Sequence, residues 1–115
     1  MGAKVMEIVD VKVLILKSHP PQIVVDAWAK VPSSGWKNPR LEPRFYIGGT
    51  PPDDIQDFDF VADVPTGMVL WVITPIRVSL NIGQLPTSIQ GVRVHSATNK
   101  IEKKLTESDV RTLVF

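Results

Sequence analysis

Short runs of alternating apolar and polar residues recur along this chain, each closed by Pro, Gly, Asn or Asp. In Gln56–Asp63, Asp57, Asp59 and Asp63 fall on one parity and Phe58, Phe60 and Ala62 on the other. Successive side chains of a strand point to opposite faces, so this period of two predicts a half-buried strand with a polar outer face. The same reading gives candidate strands at Asp10–Lys17, Gln22–Lys30, Arg40–Ile47, Gln56–Asp63, Gly67–Val72, Ile76–Ile82, Gly91–Thr98 and Ile101–Leu105. Their separators are turn chemistry, among them Pro32-Ser33-Ser34-Gly35, the Gly48–Asp54 stretch and Gly83-Gln84-Leu85-Pro86. Helical periodicity is absent. The tail alone offers a helix cap, Thr106-Glu107-Ser108-Asp109, while Arg111–Phe115 reads equally as a last strand.

Strands at this spacing predict an all-β fold: an antiparallel two-sheet sandwich, immunoglobulin-like, of about seven to eight strands. A small Greek-key barrel is the alternative. The Cys…Trp…Cys marker of immunoglobulin domains is absent. The 115 residues fit one domain, with 1–9 expected as a disordered or added segment and 106–115 as a tail, short helix or last strand. Ten prolines agree with a sheet protein, because proline sits at sheet edges and turns. Pro43 marks Arg40–Ile47 as an edge strand. Thr74-Pro75 is a natural point for the chain to bend or to cross between sheets.

Pairing Arg40–Ile47 with Gln56–Asp63 as a hairpin yields one attractive register. Arg44 faces Asp59, Arg40 faces Asp63 and Tyr46 faces Asp57 outside, while Phe45 meets Phe58 and Pro43 meets Phe60 inside. Each such cross-strand pair contributes roughly 0.2–1 kcal/mol, and a slip of one residue would ruin both faces.

Composition narrows the functional classes. Charged residues make up 22% and apolar ones 43%, as in ordinary globular proteins. The chain has no cysteine, which excludes disulfides, zinc-thiolate sites and cysteine nucleophiles. A net charge of +1 gives no footprint for nucleic acid or an anionic membrane. The longest apolar run, Met68–Ile73, is far short of the ~20 residues of a membrane span. Localisation defaults to the cytoplasm, or to a secreted or periplasmic compartment if Met1-Gly2 replaces a removed signal peptide.

Candidate chemistry is sparse. Asp53, Asp54, Asp57, Asp59 and Asp63 supply oxygen ligands, yet the Gly and closing Glu of an EF-hand are missing. The strand members are expected to form a solvated face balanced by Arg40 and Arg44, which leaves Asp53 and Asp54 as the better metal candidates. His19 precedes two prolines, and His95 is expected to point outward beside Arg93. No nucleophile elbow accompanies His95, so no catalytic residue is assigned. Gly48-Gly49-Thr50 lacks the lysine and helix of a phosphate loop, and no cofactor is implied.

Two features suggest binding instead. The loop Ser33–Arg40 carries Trp36, Lys37, Asn38 and Arg40, and Trp and Arg dominate interface hot spots, although Trp36 could instead plug the open end of the sandwich. In Met68–Ile73 both parities are apolar, with Trp71 among them, whereas a two-layer sandwich needs one apolar face per strand. A loop, the tail or a second subunit must cover the surplus, and a homodimer is one reading. Trp28 could lie on either face.

The first expectation is a non-catalytic interaction module that binds a protein partner through the Trp36–Arg40 loop or the Trp71 face. Carbohydrate binding by exposed tryptophans is the alternative. A small hydrolase using His95 comes last.

Overall fold

The computed structural model describes residues 2–17, 21–49, 51–83, 89–105 and 109–112. Among them run nine strands: β1 (Gly2–Lys4), β2 (Glu7–Lys17), β3 (Gln22–Val31), β4 (Lys37–Pro43), β5 (Ile55–Asp63), β6 (Thr74–Gly83), β7 (Gly91–His95), β8 (Lys100–Lys104) and β9 (Asp109–Thr112). They make two packed sheets, as the alternating pattern predicts. In sheet A, β5 is central. It pairs with β4 on one side and with β1 and β7 on the other, and β8 lies outside β7. Sheet B runs in the order β6-β3-β2-β9. Pairing is antiparallel except between β5 and β7 and between β2 and β9, which are parallel.

The inner faces supply the core: Val11 and Val13 of β2, Val25, Ala27, Ala29 and Val31 of β3, Leu41 of β4, Phe58, Phe60 and Ala62 of β5, Val92 and Val94 of β7. Small Ala27 and Ala29 share this core with bulky Phe58 and Phe60, the mixture that lets two sheets interdigitate. The chain passes between sheets within one dipeptide. Val5 donates its N–H to Phe60 O of sheet A, and Met6 donates its N–H to Lys30 O of sheet B, both at 3.0 Å. Residues 2–9 thus supply β1 and the start of β2.

A polar clamp holds the bulge in β2. Register shifts between Ile8 and Asp10. The Asn99 side chain answers like a peptide group, accepting from Ile8 N–H at 2.7 Å and donating to Ile8 O at 2.9 Å. Buried Ser96 fixes that amide by donating to Asn99 Oδ1 at 2.6 Å. The turn between β7 and β8 therefore ties sheet A to sheet B.

Three sequence expectations shift. First, β4 begins at Lys37, and its register against β5 differs by two residues from the one expected: Leu41 faces Phe60 and Pro43 faces Phe58. An irregularity also interrupts the pairing between Lys37 and Arg40, where Asn38 takes a left-handed φ of 53°. A shift of two preserves both faces. The intended partners still meet diagonally: Arg44 with Asp59, Arg40 with Asp63, Tyr46 with Asp57. Phe45 instead leaves the sheet and is 92% exposed.

Second, Gly67–Val72 joins no ladder; it belongs to the crossing from β5 in sheet A to β6 in sheet B. Third, the tail contributes β9 beside Leu14–Lys17. His19 and Thr106-Glu107-Ser108 lie outside the described residues.

Candidate functional site

Outward positions of β5 and β7 meet across a parallel pairing, and their polar side chains knit together. Asp57 is the hub. Its Oδ1 accepts from Arg93 Nη1 at 3.0 Å and lies 2.7 Å from His95 Nε2, while Oδ2 accepts from the Tyr46 hydroxyl at 2.7 Å. Tyr46 Oη in turn accepts from Asp57 N–H at 2.8 Å. Arg93 also reaches Glu102 of β8 at 2.7 Å and Asp53 at 3.0 Å. Asp59 takes a forked contact from Arg44 at 2.7 and 3.1 Å, with Lys4 at 3.6 Å. Four acids and three cations, with His95 and Tyr46, thus share one face.

Burial alone would raise the Asp57 carboxyl pKa, but hydrogen bonds from His95, Tyr46 and Arg93 outweigh it and hold the group below the ordinary carboxylate range. The Arg44 fork does the same for Asp59. Burial, then the bond to Asp57, pushes the Tyr46 phenol up. Arg93 rises through Glu102, Asp53 and Asp57. The sequence placed His95 outward and the aspartates on a solvated face, yet Asp57 is buried beneath its partners. An aspartate–imidazole pair can orient a catalytic histidine. Among the described residues, however, no hydroxyl joins His95; its partner is Asp57, which is saturated. This network staples β1, β5, β7, β8 and the segment after β4 across the outer face of sheet A.

The loop leading into β4 is divided in its roles. Trp36 packs against the core, and its indole N–H is buried with no acceptor among the described residues. Asn38 donates to Asp63 Oδ2 at 2.8 Å, and Arg40 Nη1 to Asp63 Oδ1 at 3.0 Å. These contacts hold the Asp63 carboxyl below its ordinary range. Lys37 is exposed and lines a cleft of about 250 Å³ with Asn38, Asp63, Val64, Met68 and Val69. The sequence-predicted set is therefore split: Trp36 is structural, Asn38 and Arg40 are tied to Asp63, and Lys37 faces solvent.

The far wall of that cleft is the β5–β6 crossing, residues 64–73, which carries no charged side chain. Six of the nine exposed large hydrophobics among the described residues lie here: Met68 is 102% exposed and Trp71 83%, with Val64, Leu70, Val72 and Ile73 also open. Ser34 pins the segment, donating its N–H to Leu70 O at 3.0 Å and accepting from Leu70 N–H through Oγ at 2.9 Å. Gly35, at φ +87°, lets it lie close, since an added Cβ would stand 3.0 Å from Pro65 Cβ. Apart from these bonds, Val72 N–H to Leu70 O and Thr74 Oγ1 to Val72 O, no main-chain hydrogen bond of residues 64–73 is found among the described residues. The apolar surplus on both parities was the sequence signal for this surface; its place between sheets was not.

Trp28 lies on the outer face of sheet B, between Lys12 Nζ at 5.6 Å and Arg77 Cζ at 4.9 Å from its ring. Asp53 is engaged by Ile55 N–H and Arg93, and Asp54 adopts φ 59° in the turn before β5. Among the described residues no three potential ligands gather as a metal site. Compared with known proteins, this chain matches no family model, no curated protein and no solved structure.

Proposed function

We propose that this protein is a non-catalytic β-sandwich interaction module that binds a protein partner through residues 64–73, with Trp71 as its anchor. The observation that carries the reading is the concentration of exposed Met68, Leu70, Trp71, Val72 and Ile73 on one uncharged segment. Soluble domains scatter exposed apolar residues singly; a contiguous group marks a surface that is covered in use. Large aromatics at the centre of such a patch, with polar groups at its rim, are the usual anatomy of a hot spot. Lys37 supplies that rim.

A protein partner is favoured over a lipid surface by the main chain. The unpaired N–H and C=O groups of 64–73 would each carry a penalty of several kcal/mol in hydrocarbon, whereas a protein surface can bond to them. Sugar binding has less support, because Trp71 is the single open tryptophan ring: Trp36 is packed inward and Trp28 lies between two cations.

Affinity capture from source-cell extract tests the reading, with wild type, Trp71→Ala and Lys12→Ala immobilised side by side. A discrete protein retained by wild type and Lys12→Ala but lost with Trp71→Ala supports it. Equal retention by all three, or no protein retained, overturns it.

A further inference from the structure

Among the described residues five strands border the two sheets, and four of them are short or blunted in ways natural sheets use to avoid pairing; β1 has three residues. β4 carries Pro39, Pro43 and the Asn38 irregularity. β8 is short and reads Lys-Ile-Glu-Lys-Lys. β9 has four residues. β6 is different: ten residues, one proline at its second position, one charge at Arg77, and regular register from Thr74 to Asn81. β3 pairs along one side of β6, and the other side is open among the described residues.

The inner row of β6 is also incompletely covered. Ile76, Val78, Leu80 and Ile82 pack on the core but remain half-exposed. Between β6 and the β4–β5 pair opens a mainly apolar groove of about 410 Å³, lined by Leu41, Pro43, Phe58, Leu80 and Ile82, with Gln56 and Asn81 as its polar members. A free main-chain edge beside an open core describes a sandwich that lacks one strand on this side.

We propose that a second copy of this chain supplies that strand, with two β6 edges pairing antiparallel about a two-fold axis at Ser79. The argument is self-complementarity, which a two-fold interface requires. In this register Ile76 and Val78 of the second copy lie opposite Ile82 and Leu80, at the mouth of the groove. On the outer face Arg77 lies opposite Asn81 of the second copy, twice, so no like charges meet. Each Arg77 is already balanced by Asp26 within its own chain. The result is one continuous eight-stranded sheet made from two four-stranded sheets. This inference is independent of the partner proposed for residues 64–73.

The test is the mass of the full chain by light scattering and sedimentation across a wide concentration range, with two substitutions at exposed Asn81. Wild type is expected to pass from 12.8 kDa to twice that mass. Asn81→Lys places like charges opposite Arg77 at two points and is expected to weaken the dimer about fivefold; Asn81→Glu is expected to tighten it about fivefold. Amide exchange of β6 should slow as the dimer forms. A monomer at every concentration overturns the proposal. So does a dimer indifferent to both Asn81 variants, or one abolished by Trp71→Ala with β6 exchange unchanged.

Discussion

Asp57 Oδ1 lies 2.7 Å from His95 Nε2, although the two residues stand on parallel strands and are not register partners. The contact is diagonal: Asp57 is level with Arg93, and His95 with Asp59. One carboxylate therefore gathers Arg93 and His95 of β7 and Tyr46 from the segment after β4, beneath the outer surface of sheet A.

Acid should loosen this face. The folded-state pKa values of Asp57 and Asp59 lie below their unfolded values, so the unfolded chain binds these protons more readily. Their stabilisation is complete above the ordinary carboxylate value of about 3.9, and it is lost as pH falls through that value to the lower folded ones. The urea midpoint should decline between about pH 5 and pH 2. Asp57→Asn should lower stability near neutral pH by about 2 kcal/mol and flatten that decline. An unchanged slope in Asp57→Asn would show that other carboxylates govern acid unfolding.

Asn99→Ala should destabilise by about 2 kcal/mol, because it leaves both the N–H and the C=O of Ile8 without their side-chain partner. Asn99→Asp keeps the acceptor for Ile8 N–H but loses the donor to Ile8 O, so it should not restore the wild-type midpoint. Denaturant melts of the two variants check this. A loss below about 0.5 kcal/mol in Asn99→Ala would mean that water serves the bulge equally well.

The two tryptophans near the β5–β6 crossing should behave oppositely. Trp36→Ala removes a core-packed ring and should lower stability by about 3 kcal/mol. Trp36→Phe should lower it less, since it also removes the buried N–H that lacks an acceptor. Trp71→Ala, at an 83% exposed site, should change stability by less than about 0.5 kcal/mol. Thermal melts of the three variants, read beside partner capture, separate folding from binding.

Much of the fold is legible in the residues. The alternation in Gln56–Asp63 announces β5, and the charge pattern correctly names Arg44–Asp59, Arg40–Asp63 and Tyr46–Asp57 as partners. Register was less legible, because a two-residue shift leaves every face unchanged. The parallel pairing of β5 with β7 is a long-range relationship that no local pattern encodes. For the same reason the burial of Asp57 could not be foreseen. Trp36 was open to two readings in the sequence, a binding anchor or a plug at the end of the sandwich, and its ring packs partly buried against the core.

The central claim is that residues 64–73 meet a protein partner, and a photo-crosslinking residue placed at Trp71 tests it most directly. In source cells, irradiation should join position 71 to one discrete protein, with no adduct from the same probe at exposed Lys12 on the outer face of sheet B. Absence of any adduct at 71, or equal labelling from both positions, would contradict the account.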